Sequence, residues 1–274
     1  MQDITKEGIK KDLKKLGIKP GDKLIIHSSL RSIGHVIGGA DTVIDAVLET
    51  IGKQGLLMMP VFSYSYEKGK GSVPYNKKIS PSKTGYITEV FRKREDVVRS
   101  DHPTHSVAVS GKDAEYYAAG HEATKGAFDD DTPLHKLALN KGRILLIGVG
   151  HEANSSIHVA EFLAGLPFLD MPNRTSYGSG FLVQRDDGNI EKIPFPSKMC
   201  GCSHGFGKVD DIRGIEKIQK TGYIGEAYSR LIEALPLISL LMGILKDKPD
   251  FLLCADEGCE GCTGRRERLR ELKL

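Results

Sequence analysis

A histidine and a glutamate stand three residues apart, at His158 and Glu161, just after an apolar segment. In a helix, residues i and i+3 lie on the same face, so this spacing brings an imidazole beside a carboxylate. The carboxylate fixes the imidazole tautomer and stabilises its protonated form, which suits the pair to removing a proton from a nucleophile. An exposed pair on a solvated helix face is the simpler interpretation of the same spacing.

The surrounding sequence predicts the elements that would position this pair. Residues 144–149 are apolar and branched, which indicates a strand buried on both faces, and Gly148 permits a tight turn. A helix capped by Asn154 or Ser155 follows and ends at Gly165. The pair would then lie just beyond the carboxyl end of a strand, where open α/β sheets bind ligands.

A second loop whose residues could bind a ligand follows the predicted strand at residues 23–27. Its sequence, HSSLRSIGHVIGG at residues 27–39, is rich in hydroxyls and glycines and precedes a helix at residues 41–51. Backbone N–H groups and serine hydroxyls at such a junction can hold phosphate oxygens. A well-capped turn explains the loop equally well, since neither a Walker A pattern nor GxGxxG is present.

Five cysteines lie between residue 200 and residue 262. Cys200, Cys202, Cys259 and Cys262 could supply four zinc ligands, with Cys254 and His204 nearby and glycines that permit tight knuckles. Reduced packing thiols are the alternative. An odd number of clustered cysteines is not typical of a secreted disulfide framework.

Composition is ordinary for a globular protein of 274 residues, with 39% hydrophobic residues, 27% charged residues and a net charge of +3. This small net charge neither favours nor excludes nucleic acid as a partner. There is no apolar run of the roughly 20 residues that span a bilayer, and no apolar signal core at the N-terminus. We therefore expect a cytoplasmic protein that does not enter a membrane.

The order of the elements predicts an α/β fold, with a mixed central sheet and flanking helices. After residue 170 the pattern changes, and Asp-Asp-Gly-Asn at residues 186–189 indicates an antiparallel hairpin. Helical patterns follow at residues 208–220 and 225–246, and a strand is predicted at residues 251–254. With no repeat or clear linker, we expect a single domain over residues 1–274.

Four blocks in a fixed order resemble those of the aminoglycoside 3-N-acetyltransferase family: HSSLRSIGHVIGG, SDHPTHSVAVSG, DDDTPLHKL and LLIGVGHEANSSIHVAE. The similarity covers nearly the whole chain. It implies acetyl transfer from acetyl-coenzyme A to an amine, in a family-specific fold unlike that of the GNAT acetyltransferases. The cysteine-rich C-terminus and Asp129 to Asp131, in place of a small glycine-containing turn, depart from the family pattern.

The resemblance also implies roles for individual residues. His158 matches the catalytic histidine and Glu161 the carboxylate that orients it. The expected coenzyme-binding residues are His27, Ser28, Ser29, Leu30, Thr104, His105, Ser106 and Thr132. No covalent enzyme intermediate is required, so we expect direct transfer in a ternary complex, with hydroxyls or backbone N–H groups near Ser28 and Thr104 stabilising the oxyanion.

The acceptor would be a small-molecule amine. An aminoglycoside is a polycation, so its site should present carboxylates close to the base. The candidates are Glu67, Asp129, Asp130, Asp131, Glu152 and Asp170. If they do not converge on His158, the acceptor is expected to be a less charged amine.

Two other functions compete with this one. A metal-dependent hydrolase would use a cluster of His102, His105, His151, His158 and Glu161. A non-enzymatic binding protein would use the cysteines and a basic tail formed by Arg265, Arg266, Arg268 and Arg270. We expect no nucleic-acid partner, and either a monomer or a homodimer.

Overall fold

The computed structural model describes residues 3–65, 73–123, 125–170 and 180–274. Nine strands are assigned in these ranges: β1 (Lys23–Ser28), β2 (Leu56–Pro60), β3 (Val98–Arg99), β4 (Val107–Gly111), β5 (Arg143–Ile147), β6 (Gly180–Gln184), β7 (Ile190–Pro194), β8 (Gln219–Ile224) and β9 (Ala227–Glu233). The α-helices of the same ranges are α1 (Lys6–Leu16), α2 (Leu30–Ile33), α3 (Gly39–Ile51), α4 (Tyr86–Phe91), α5 (Ala114–Ala118), α6 (Pro133–Leu139), α7 (Ser156–Leu163), α8 (Ala234–Asp247) and α9 (Glu260–Glu271).

Seven strands form one sheet in the order β3-β4-β2-β1-β5-β9-β8. β1 runs parallel to β2 and β5, whereas the outer strands pair antiparallel. β6 and β7 form a separate antiparallel hairpin. The predicted mixed sheet, and the hairpin after residue 170, are therefore confirmed.

Helices cover both faces of the sheet because the central strands are apolar on both sides. On β1, Ile25 packs into one core, whereas Leu24 and Ile26 pack into the other. α1 and α3 cover the face of Leu24, and α6, α7 and α8 cover the face of Ile25. Continuous apolar strands are the expected pattern for a sheet buried on both faces.

The segment after β5 turns back tightly at Gly148, whose φ is +64°. A Cβ atom there would lie 2.3 Å from the Cβ of Ser32, so only glycine permits this approach. A short 3₁₀ turn at His151–Ala153 follows and leads into α7. Because β1 and β5 are parallel and Ser28 lies opposite Ile147, the ends of both strands meet beside α7.

The predictions for the C-terminal third were partly wrong. Residues 208–220 and 225–246 were expected to be helical, but the chain there forms a 3₁₀ segment (His204–Asp211), then β8 and β9, and only then α8. Gly225 joins the two strands with φ +57°, and the buried positions of β9 largely alternate. Residues 251–254 form turns instead of a strand. None of the described helices is long and apolar enough to cross a membrane.

Candidate active site

His158 and Glu161 form a buried hydrogen-bonded pair on α7. His158 Nδ1 lies 2.6 Å from Glu161 Oε2, and the glutamate side chain is only 1% exposed. A carboxylate accepts, so Nδ1 carries the proton and Nε2 becomes the ring nitrogen that can accept one. The predicted i,i+3 pair is thus present, and its burial argues against a solvated ion pair.

Two phenylalanines fix the imidazole in place. The ring of Phe128 stacks on His158 with centroids 5.0 Å apart, and Phe206 contacts it edge-on at 4.8 Å. Phe128 precedes α6, and Phe206 lies in the 3₁₀ segment after the hairpin. A ring held between two aromatic side chains and a carboxylate has few alternative rotamers, so its orientation toward the cavity is fixed.

His158 lines a cavity of about 630 Å³ at the carboxyl ends of β1, β2 and β5. The lining residues are His27, Ser28, Pro60, Phe62, Tyr64, Lys83, Thr84, Thr88, His105, Val149, Glu152, Ala153, Ser155, His158, Cys200, Gly201, Cys202, Ser203, Cys259 and Gly261. Its size is in the range that holds a small-molecule substrate.

A second cavity of about 640 Å³ adjoins the first at Ser28. Ser29, Leu30 and Arg31 line it, together with residues before and at the start of α3 and at the start of α4. The predicted coenzyme loop therefore divides between the two cavities, with His27 in the first, Ser29 and Leu30 in the second, and Ser28 in both.

Two buried polar atoms at this junction have no hydrogen-bond partner within the described part of the chain: His27 Nε2 and Ser28 Oγ. A buried donor or acceptor without a partner costs about 1–3 kcal/mol, so such groups are suited to hydrogen bonding with a ligand or a water molecule. Burial, followed by the charge of His151, lowers the pKa of His27 to about 3. His27 is therefore neutral near pH 7 and offers a neutral imidazole to a ligand.

Of the three neighbouring residues Thr104, His105 and Ser106, it is His105 that lines the first cavity. Thr104 Oγ1 lies 2.7 Å from His105 Nδ1, and Cys200 Sγ lies 3.4 Å from His105 Nε2. Burial, with smaller effects of His158 and His121, lowers the pKa of His105 to about 3. Burial also raises the pKa of Cys200 to about 12, so this thiol remains protonated and is not an active nucleophile.

Three of the expected coenzyme-binding side chains, those of Thr104, Ser106 and Thr132, do not line either cavity. The hydroxyl of Ser106 is fully buried, donates to Val61 O and accepts from Arg99 Nε. The hydroxyl of Thr132 donates to Asp129 O at 2.7 Å. The hydroxyls of Ser106 and Thr132 therefore both have partners within the protein, and their contact with the coenzyme stays a prediction.

Of the six predicted acceptor-binding carboxylates, Glu152 lines the cavity. Asp129 pairs with Lys198, and Asp131 pairs with Lys136. Asp130 and Asp170 are not among the cavity residues, and Glu67 falls outside the described residues. The expected convergence of acidic residues on His158 is therefore not found in the described ranges.

The five residues of the hydrolase hypothesis do not form one metal site. The tilted rings of His102 and His121 have centroids 4.8 Å apart, and His151 Nε2 lies 2.9 Å from Gln219 Oε1. In the described ranges, one group of three or more histidine, cysteine or carboxylate ligands is close enough to hold a metal, and it consists of cysteines.

That group is Cys202, Cys254, Cys259 and Cys262, whose sulfur atoms all lie within 4.8 Å of one another. The sequence prediction had Cys200 in place of Cys254. The structure corrects it, because the sulfur of Cys200 contacts His105, whereas the turns at residues 251–254 bring Cys254 to the other three.

The basic tail does not form a free cationic surface. Arg265 is buried, with its guanidinium 4.9 Å from the ring centroid of Phe168. Arg266 donates to Cys254 O, and Arg268 pairs with Glu271. Arg265 and Arg266 thus hold α9 against the rest of the protein, whereas the Arg268 pair lies within α9 and Arg270 is exposed, so the four arginines do not act together as one exposed cationic surface.

Several cavity residues had no distinctive sequence signal. Tyr64 and Lys83 border a long polar loop, and Arg31 follows Leu30 directly in the coenzyme block. Of these residues, Arg31 could have been predicted from the sequence as a ligand contact, because a cation beside a phosphate-binding loop is chemically expected.

Comparison with known proteins gives a consistent result. A family model described as aminoglycoside 3-N-acetyltransferase matches residues 25–246. The chain is 31% identical to the SPbeta prophage-derived aminoglycoside N(3')-acetyltransferase-like protein YokD of Bacillus subtilis, over 83% of this chain and 87% of that protein. It is 29% identical to aminoglycoside N(3)-acetyltransferase IV of a Salmonella species, over 89% and 88% of the two chains.

A solved structure supports the same assignment. The crystal structure of a histidine-to-alanine mutant of aminoglycoside acetyltransferase AAC(3)-IVa, in complex with a gentamicin, matches with a TM-score of 0.83. The two chains are 27% identical, and the match covers 98% of each. This chain therefore belongs to the aminoglycoside 3-N-acetyltransferase family.

Proposed function

We propose that this protein transfers an acetyl group from acetyl-coenzyme A directly to an amine, the 3-amino group of an aminoglycoside or a related amine. His158 acts as the general base and Glu161 orients it. The observation that carries this proposal is the buried His158–Glu161 pair, held between two phenylalanines, on a cavity of substrate size. The family and its relatives support the same reaction.

The mechanism follows from the position of Nε2. An ammonium group must lose a proton before its nitrogen can attack the thioester carbonyl, and His158 Nε2 accepts this proton while Glu161 stabilises the resulting imidazolium. The C–N bond forms, the C–S bond breaks, and the coenzyme leaves as a thiolate that takes the proton from the imidazolium, while the second proton of the nitrogen passes to solvent. Ser28 Oγ and His27 Nε2, both without partners in the described ranges, are suitable donors to the developing oxyanion or to the coenzyme.

Two cavities that adjoin at Ser28 suit a reaction with two substrates. In this proposal the second cavity holds the phosphate end of the coenzyme, with Ser29 and Arg31 as partners. The pantetheine arm passes Ser28 toward His158. Thr104 acts indirectly, since its hydroxyl positions the ring of His105 at the cavity wall.

The charges around the first cavity favour an acceptor with fewer positive charges than a typical aminoglycoside. Among the members of the predicted set that the structure describes, Glu152 is the one carboxylate that lines this cavity, and Lys83 adds a positive charge there. A polycation would gain little from this balance. We therefore propose that a related amine of lower charge is a better acceptor than an aminoglycoside.

Release of free thiol from acetyl-coenzyme A, measured with a panel of aminoglycosides and a panel of mono- and diamines, tests this function. Acceptor-dependent release is expected in the native protein and not in His158→Ala. The matched control is His135→Ala, on α6 and away from both cavities, which should retain full activity. Fast acceptor-dependent release by His158→Ala would contradict the assigned base, and faster release with aminoglycosides would contradict the preference for lower charge.

A further inference from the structure

Four sulfur atoms meet at one wall of the active-site cavity. They belong to Cys202, after the hairpin, to Cys254, in the turns after α8, and to Cys259 and Cys262, at the start of α9. A zinc ion with four sulfur ligands at about 2.3 Å holds them roughly 3.8 Å apart at the corners of a tetrahedron. The Sγ atoms of Cys202 and Cys254 are 3.8 Å apart, and no pair among the four exceeds 4.8 Å.

The local backbone has the form of a metal knuckle. Cys259 and Cys262 are separated by two residues across the first turn of α9, so both sulfur atoms face the same way. On the opposite side, the backbone N–H of His204 donates to Cys202 Sγ at 3.3 Å. Such N–H···S bonds favour a thiolate and orient it, as hydrogen bonds to ligand atoms do around other metal sites.

Packing thiols and disulfides explain the group less well. The four cysteines are not joined by disulfide bonds, and 3.8 Å is far longer than an S–S bond of about 2.05 Å. Cys202 and Cys259 are only partly buried, which is unusual for cysteines that serve as core residues. Four sulfurs from three separate segments, converging at a partly open position, fit coordination better than hydrophobic packing.

We propose that Cys202, Cys254, Cys259 and Cys262 bind one zinc ion in tetrahedral geometry. The ion joins three segments that share no strand pairing, and so fixes their relative positions. Its four ligands leave no open position for water, so its role is structural. This proposal does not depend on the acetyltransferase function.

The site has a direct link to the cavity. Cys202, Ser203, Cys259 and Gly261 line the same space as His158, whereas Cys254 and Cys262 are buried and do not line it. The zinc ion therefore joins the cavity wall to the core. In a protein without it, we expect this wall to lose its fixed shape while the sheet and α7 remain folded.

Metal analysis of the native protein, purified without chelators, tests the proposal directly. We expect about one zinc per chain, released on titration of the thiols with an organomercurial and detected with a zinc-sensitive dye. After growth with Co²⁺, the protein should show the visible absorption bands of tetrahedral thiolate coordination. The proposal would be overturned if the native protein contained no metal, did not bind added zinc, and had either five titratable thiols or a disulfide.

Two serine variants distinguish the proposed ligand set, which includes Cys254, from the set that includes Cys200 in its place. Cys254→Ser should lose the zinc and the cobalt bands, whereas the matched variant Cys200→Ser should retain both, because Cys200 contacts His105 instead of the cluster. If Cys254→Ser does not fold, Cys259→Ser at the partly exposed rim provides the same comparison. Loss of zinc in Cys200→Ser, with retention in Cys254→Ser, would overturn the proposed set.

Discussion

The His158–Glu161 pair and the four-cysteine cluster border the same cavity but are built in opposite ways. The pair occupies adjacent turns of one helix, and its geometry follows from a local spacing of three residues. The cluster takes its sulfurs from three segments spread over about 60 residues and has no element of its own. The pair is held rigidly because the side chains around it are closely packed. The geometry of the cluster, in contrast, depends on the contacts or the ion that join its three segments.

This difference separates two ways of damaging the enzyme. Changes at the pair should affect the chemical step and leave the fold intact, because α7 is held by its apolar neighbours. Changes at the cluster should affect stability and the shape of the cavity wall, and should act on the chemistry only indirectly.

The largest expected effect is that of His158→Ala. Loss of a general base lowers kcat by at least about 10²-fold, or about 2.7 kcal/mol. The affinity for coenzyme A should change little, because Ser29, Leu30 and Arg31 of the second cavity are untouched. Steady-state kinetics and calorimetric titration with coenzyme A check both statements, and an equal loss of coenzyme affinity would show that His158 is a binding residue.

Gly205→Ala tests the cluster through its backbone support. A Cβ at Gly205 would lie 2.2 Å from Leu252 O and 2.9 Å from Cys254 N, so the turn that carries Cys254 must shift. Overpacking of this kind costs about 1–3 kcal/mol. Chemical denaturation should show the loss, accompanied by weaker zinc retention against a competing dye.

Gly261→Ala is the matched control, since a Cβ at this helical glycine meets nothing within 4 Å. It should leave stability unchanged or raise it by up to about 1 kcal/mol. Equal stability of both alanine variants would refute the close packing of the two turns.

Glu161→Gln should have a smaller effect on the chemical step than His158→Ala. The amide retains the size of the carboxylate but cannot stabilise an imidazolium, so kcat should fall roughly tenfold. The KM for the acceptor should remain close to that of the native protein, because Glu161 is buried behind the base. A rise in KM without a fall in kcat would show that the carboxylate binds the acceptor instead of positioning His158.

Sequence reasoning was most successful where a site depended on local spacing. The His158–Glu161 pair and the loop after β1 follow from short motifs, and both lie at the predicted ends of parallel strands. It did not show that Ser106 and Thr132 donate to backbone carbonyls, because a motif identifies a hydroxyl without showing which carbonyl it contacts. The sequence also could not show that Cys254, and not Cys200, lies beside the other three cysteines. This position depends on turns at residues 251–254, which were predicted to be a strand.

The β8–β9 hairpin shows a similar limit at the level of the fold. Residues 225–246, which include all of β9, were predicted to be helical, and short apolar runs fit either period. Pairing of β9 with β5 decides the outcome, and this contact joins segments that are distant in sequence, with Ile147 opposite Ser229. Tertiary context overrode local preference at this edge of the sheet.

Removal of the metal is expected to produce the smallest effect on catalysis, and it connects the two regions. Cys254 does not line the cavity, so any kinetic effect of Cys254→Ser must pass through the cluster. We expect the acceptor KM to rise a few-fold, equivalent to less than about 1.4 kcal/mol, with coenzyme affinity unchanged. Zinc should restore the native KM to chelator-treated wild-type protein but not to Cys254→Ser. An unaltered KM in metal-free protein would show that the wall keeps its shape without the ion, in which case the cluster stabilises α9 without shaping the acceptor site.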